Sequence, residues 1–293
     1  MRSPAVYAVL LVMLICCTAT VCHAEQEILI GLIPEENIFN QMARHKPLAS
    51  YLSDRLKTKV RFTILSRYGD VMDRFMTRKM DGAFFGVFTG VLAMEKLDAE
   101  PIAHPVNSDG TSDVQSYIFV RKDSNIRNAA DMQGKRIAFV DRATVTGYLF
   151  ALSYLKENGI TDPKKYFREI SFTGSHGSAI YAVLDGRADI GTAKSKIFQM
   201  LVAKDHIIKD ELVIIKRSKN LPDTTLFLRK DMPKNIRDRI REILLSMHND
   251  KDGREVLHKL DAKMFSEAKK GDFSYFQELA QKAGITPRTY NYR

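Results

Sequence analysis

Residues 68–86 read YGDVMDRFMTRKMDGAFFG, and residues 176–194 read HGSAIYAVLDGRADIGTAK. Laid side by side without a gap, they place Asp81 on Asp189, Val71 on Ala179, Phe75 on Val183, Tyr68 on His176 and Gly86 on Lys194. In each stretch a polar loop leads into a helical pattern, at 71–79 and 179–184. Each then ends in a short apolar strand, at 83–86 and 189–193. A unit that recurs at fixed register is the sequence mark of a duplicated architecture. Few identities link the two copies, so chance similarity is the competing reading. The order of elements, more than the residue matches, carries the comparison.

Working outward, each unit has the same lead-in. Before the first come an apolar strand at 28–33, a helix at 47–56 with Leu48, Tyr51, Leu52 and Leu56 on one face, and a strand at 59–65. Before the second come a strand at 136–140, a helix at 145–158 stopped by Gly159, and a strand at 169–172. An apolar stretch at 87–97, a helix at 194–203 and a strand at 211–216 follow the units. Strands alternating with helices predict right-handed crossovers and largely parallel sheets. Two strand-like segments, 116–121 and 225–229, bracket the second half and are expected to cross between lobes as a hinge. From Pro233 on, the pattern is helical, with Ile236, Ile240, Ile243 and Leu244 on one face. The expected fold is α/β: two similar lobes, 25–118 plus 226–293 and 119–225, with mainly parallel sheets joined by two hinge strands. Such a molecule is built to close around a ligand.

The first 24 residues read as a secretory signal: Arg2, the apolar run 6–15, and Cys22-His23-Ala24 as a small-residue cleavage site. That run is shorter than the roughly 20 residues that span a bilayer. A lipid anchor at Cys22 is a weaker alternative. All three cysteines fall inside this segment, so the expected mature chain has no disulfide, thiolate metal site or Cys nucleophile. The formal charge of +10, from 45 basic and 35 acidic residues, favours anionic partners. No dense basic block with interleaved aromatics marks a nucleic-acid surface.

Ligands of open α/β sheets sit beyond the carboxyl ends of the strands. The loop 141–148, DRATVTGY, leaves a strand and opens a helix there. Thr144 is expected to cap that helix, with Thr144 and Thr146 donating hydroxyls beside free backbone N–H groups, an anion-binding arrangement. His176 and its register partner Tyr68 stand at two further strand-to-helix loops. Lys194 stands where a helix starts, against the dipole, which an anionic ligand would explain and simple solvation would also allow. No G-x-S-x-G, H-E-x-x-H or P-loop occurs, and the histidines lack metal-ligand spacing. Binding without turnover, cofactor or metal is expected.

At these residues the chain resembles the periplasmic phosphonate, phosphate and phosphite-binding proteins of ABC importers. The matching pieces are IGLIP at 30–34, PLASYL at 47–52, VNSDG at 106–110, GKRIAFVD at 134–141, TGY at 146–148, GSH at 174–176 and RKD at 229–231. The resemblance implies a type II two-lobed fold. It puts the family's Ser-Thr-Ser-Gly-Tyr oxyanion loop on Thr144-Val145-Thr146-Gly147-Tyr148, its loop His on His176 and a first-lobe Tyr on Tyr68. A second family Tyr falls near Thr89 and is absent, which leaves Thr89 as a further candidate ligand contact from the first lobe. Acidic residues that hold a ligand amine in the family lie near Lys194 and Asp223, with the sign reversed at Lys194. The implied ligand is a small phosphorus oxyanion. By its place at the end of the strand 190–193, Lys194 is expected to face it and repel amine-bearing ligands; were Lys194 turned to water, a ligand amine could pair with Asp223 instead. The implied partner is an inner-membrane permease, and the implied state a periplasmic monomer. A ligand sensor reporting to a membrane kinase is the second reading, and an enzyme on the same fold the third.

Overall fold

Asn37 begins the first helix. Its side chain accepts from the backbone amides of Phe39 and Asn40, and α1 (Ile38–Leu56) runs on from there straight through Pro47. The helix expected at 47–56 is thus its C-terminal half. The Asn cap satisfies otherwise orphaned amides, and burial of one face against the sheet, more than the cap alone, carries the helix through the proline. Gln41, Leu48, Tyr51 and Leu52 form the buried face. The computed structural model describes residues 27–291 apart from 78. The signal-like segment, with all three cysteines and His23, lies outside the described residues.

The first half gives β1 (Ile28–Leu32), β2 (Val60–Ile64), α2 (Tyr68–Met76), β3 (Gly82–Phe85), α3 (Val87–Leu97) and β4 (Glu100–Asn107). Two short segments follow, β5 (Asp113–Val114) and β6 (Ser116–Arg121). The second half gives β7 (Arg136–Phe139), a π-helical turn (Val145–Leu149) that continues as α4 (Phe150–Glu157), α5 (Pro163–Tyr166) and β8 (Glu169–Phe172). Then come α6 (His176–Leu184), β9 (Ile190–Lys194), α7 (Ser195–Lys204), α8 (His206–Glu211) and β10 (Leu212–Arg217). The chain returns through β11 (Leu221–Pro222) and β12 (Thr225–Leu228), and ends with α9 (Lys234–Ser246), α10 (Lys251–Lys259), β13 (Ala262–Glu267) and α11 (Ser274–Ala283).

The repeat holds in three dimensions. α2 and α6 are each nine residues long and begin at the register-matched Tyr68 and His176. Val71, Met72 and Phe75 are buried on the one, and Ala179, Ile180 and Val183 at the matching places on the other. The aligned aspartates do the same work. Asp81 accepts from the amide of Leu29 at 2.9 Å and donates its own amide to the Leu29 carbonyl at 2.8 Å. Asp189 repeats this on Arg136, at 2.8 and 3.0 Å. Each ties the third strand of its unit to the entry of the first.

A six-stranded sheet runs β13-β4-β12-β3-β1-β2 and a five-stranded one β10-β6-β9-β7-β8. Only β2-β1-β3 and β8-β7-β9 pair in parallel, and every other pairing in the two sheets is antiparallel. The expectation of mainly parallel sheets therefore holds for the repeated units and fails beyond them, because the strands next to β3 and β9 are supplied by the crossovers. Those crossovers begin as an antiparallel ribbon of β5 with β11. They then separate, β6 into the five-stranded sheet and β12 into the six-stranded one. The C-terminal region is not wholly helical: β13 pairs with β4 at the edge of the larger sheet. α11 spans both lobes, since Phe276 and Leu279 share a core with Phe88 and with Leu149, and Lys282 lies 3.5 Å from Glu157. Among the described residues no helix is long and apolar enough to cross a membrane.

Candidate functional site

All six parallel strands end at one cavity. Its wall takes Ile33 and Glu35 from beyond β1, Tyr68 from beyond β2, and Gly86 and Val87 from beyond β3. From the other lobe come Ala143 to Thr146 beyond β7, His176 beyond β8 and Lys194 at the end of β9. The cavity volume is about 30 Å³. Because each of these loops opens a helix, the helix N-termini converge there, and their unpaired amides and dipoles favour an anion.

Its donors are directed inward. The Tyr68 hydroxyl is buried with no hydrogen-bond partner among the described residues. Burial, reinforced by the Glu35 charge, holds its pKa well above the ordinary value, so it stays a neutral donor. His176 is buried and accepts from the backbone amide of Lys194 through Nδ1 at 3.1 Å. That bond fixes the tautomer and places the ring proton on Nε2. Burial lowers the His176 pKa to about 3, so the ring is neutral. The π-turn opens the third donor group. Leu149 is the first residue to donate back along it, to the Thr144 carbonyl at 3.1 Å, which leaves the preceding amides without a partner inside the turn.

Beside these donors sits a buried ion cluster. The Lys194 ammonium lies 2.5 Å from Glu35 Oε1, 2.5 Å from Asp223 Oδ1 and 2.7 Å from Thr224 Oγ1. Lys196 reaches the other oxygen of Asp223 at 3.1 Å. Burial pulls the Lys194 pKa down, but Asp223 and Glu35 more than offset it, leaving the ammonium protonated. Burial likewise pushes Glu35 and Asp223 up, and Lys194 brings both below the carboxylate range. Two cations face two anions, so the cluster is neutral.

The cluster also joins the lobes. Lys194 belongs to the five-stranded sheet, Glu35 follows β1 in the six-stranded one, and Asp223 and Thr224 lie between β11 and β12. Further ties are Glu36 with Lys204 at 3.8 Å and the Gly177 amide donating to the Glu35 carbonyl at 3.2 Å, while Arg44 holds Glu36 from its own lobe at 2.9 Å. Tyr68 and Val71 share one apolar cluster with Ala143 and Val145. The cleft is closed.

Of the residues singled out from sequence, Tyr68, Thr144, Val145, Thr146, His176 and Lys194 all line this cavity. Asp223 stands behind it on the ion cluster. Thr89 does not reach it: it is buried in α3, where its hydroxyl donates to the Gly86 carbonyl at 3.2 Å. Thr144 does not cap the helix with its side chain; its hydroxyl donates to the Asp141 carbonyl at 2.7 Å, so that proton is already used. Lys194 faces the cavity, but its three acceptors are protein oxygens. Glu35 and Thr224 carry no sequence motif. Glu35 could be suspected from its place just beyond β1 in an apolar stretch, but its partner is 159 residues away.

The family described as ABC transporter, phosphonate, periplasmic substrate-binding protein matches residues 30–273. The chain is 31% identical over 196 residues to the phosphate-import protein PhnD of Mycolicibacterium smegmatis, covering 64% of this chain and 60% of that protein. The fold is similar to the binding protein of an ABC phosphonate transporter from Pseudomonas aeruginosa, with TM-score 0.83 and 20% identity over 89% of this chain and 87% of that one. It is also similar to PhnD1 of Prochlorococcus marinus, solved with methylphosphonate, with TM-score 0.80 and 19% identity over 89% of this chain and all of that one. The duplicated lobes, the shared cavity and the match across most of its length agree: this chain belongs to the periplasmic substrate-binding proteins of phosphonate ABC transporters.

Proposed function

We infer that this protein captures a small phosphorus oxyanion in the periplasm and presents it, with lobes closed, to an inner-membrane ABC permease. In this reading the segment 1–24 is a cleaved signal, the lobes are 25–118 plus 226–293 and 119–225, and the protein acts as a monomer without turning its ligand over. The reading rests on the donors around the cavity, above all the buried, unpartnered hydroxyl of Tyr68. A buried donor left without an acceptor costs about 1–3 kcal/mol, and a ligand oxygen at that point removes the penalty. The His176 Nε2 proton and the π-turn amides supply donors from the opposite lobe, so one tetrahedral anion bridges both. Phosphate, for which one relative is named, and methylphosphonate, with which another was solved, are of this class. Calorimetric titration with phosphate, phosphite and methylphosphonate tests it, with sulfate as the off-class anion. Saturable binding of at least one phosphorus anion, tighter than sulfate, is expected; no heat from all three would sink the reading.

A further inference from the structure

The Lys194 ammonium has three protons and three close acceptors, Glu35, Asp223 and Thr224, all supplied by the protein. Its side chain is 5% exposed, and those of Glu35 and Asp223 are 11% and 2% exposed. Glu35, Lys194 and Thr224 also line the oxyanion cavity, so this cation subsite lies in the wall of the ligand chamber. Lys194 reaches it from β9, across the cleft from Glu35. We propose that Lys194 is a specificity-determining residue: its ammonium fills, from the protein side, a subsite that otherwise fits the ammonium of a ligand. The proposal rests on the oxyanion reading above and specifies the ligand class as a compact oxyanion without an amino group.

The physical reason is occupancy. A primary ammonium on a ligand finds its acceptors already taken, and burying it unpaired beside Lys194 is opposed by both desolvation and like charge. The oxyanion end keeps its donors, Tyr68, His176, Thr146 and the π-turn amides, none of which is the Lys194 side chain. Shortening Lys194 leaves the Glu35 carboxylate buried with no cation partner, whereas Asp223 keeps Lys196. The vacated space then attracts a small ammonium from solution.

Two measurements test this. Titrations of the wild-type chain compare methylphosphonate with aminoethylphosphonate, and the same pair is run on Lys194→Ala. Wild type is expected to favour methylphosphonate at least tenfold, and Lys194→Ala to reverse the order. Equal or tighter wild-type binding of aminoethylphosphonate overturns the proposal, and so does an unchanged ratio in the variant. The second measurement needs no phosphorus ligand. Methylammonium chloride should raise the melting temperature of Lys194→Ala above that in equal sodium chloride and leave wild type unmoved; the same response in both overturns the subsite. If no phosphorus anion binds wild type while methylammonium still rescues the variant, the oxyanion reading fails and the cation subsite stands. Should Lys194→Ala not fold alone, refolding is run in methylammonium, where recovery supports the subsite and no recovery counts against it.

Discussion

At the scale of single residues, the site separates side chains that bind from side chains that only hold the loop. Tyr68 is the clearest case, because its hydroxyl has no partner among the described residues of the closed protein. Tyr68→Phe should weaken oxyanion binding by about tenfold or more, the loss of a bond to a charged group being about 1.5–3 kcal/mol. The same change should leave the unliganded melting temperature equal or higher, since an orphaned buried group is removed. A fall in unliganded stability with unchanged affinity would reverse the assignment. The two threonines should part in the opposite sense. Thr144 donates to the Asp141 carbonyl, so Thr144→Val should cost about 1 kcal/mol of stability with a small change in affinity. Thr146 lines the cavity and its Oγ1 makes no such bond among the described residues, so Thr146→Val should weaken binding about tenfold with folding intact. Chemical denaturation and calorimetry on the pair read both effects.

At the scale of elements, the π-turn after β7 is the part with least room for change. A Cβ on Gly147 would stand 2.4 Å from Val140 Cβ and 2.8 Å from Thr144 Oγ1. The Gly147 carbonyl also accepts from the Val140 amide at 3.0 Å and from the Thr192 hydroxyl at 2.6 Å. The turn is thus fastened to β7 on one side and β9 on the other, which aims its free amides at the cavity. Gly147→Ala must push the turn away from Val140, an overpacking cost of about 1–3 kcal/mol. Both the melting temperature and oxyanion affinity should drop together. A variant that keeps its affinity would show that the amides are not ligand donors.

At the scale of the whole molecule, closure and pH are linked through buried charge. Burial lowers His176 to about 3 and His45 to about 4, so the folded protein keeps both rings neutral. An unfolded histidine takes up its proton near pH 6.5. Between about pH 6.5 and these lowered values the unfolded state binds more protons, so stability falls as pH falls. Stability measured by denaturant at pH 7 and pH 5 should therefore decline, and His176→Gln should flatten the slope. A slope unchanged in that variant would place the dependence elsewhere. The carboxylates Glu35 and Asp223, whose pKa values are lowered, contribute stability that is lost only at more acid pH.

The sequence by itself determined the duplicated α/β order, because helix and strand periodicity are local and Asp81 and Asp189 keep one register. It also marked most of the cavity wall, because ligands gather where strands end and helices begin, and Tyr68, Thr146 and His176 stand at such joints. It did not show that β4 and β13 extend the larger sheet, since Pro101 and Pro105 in β4 mask the strand pattern. Nor did it show what Lys194 does. A lysine after a strand reads as a cation offered to a ligand; only the folded chain brings Glu35, Asp223 and Thr224 around it from across the cleft and the hinge. Pairing between residues far apart in the chain leaves no local pattern, so the charge the ligand meets was decided by the tertiary structure alone.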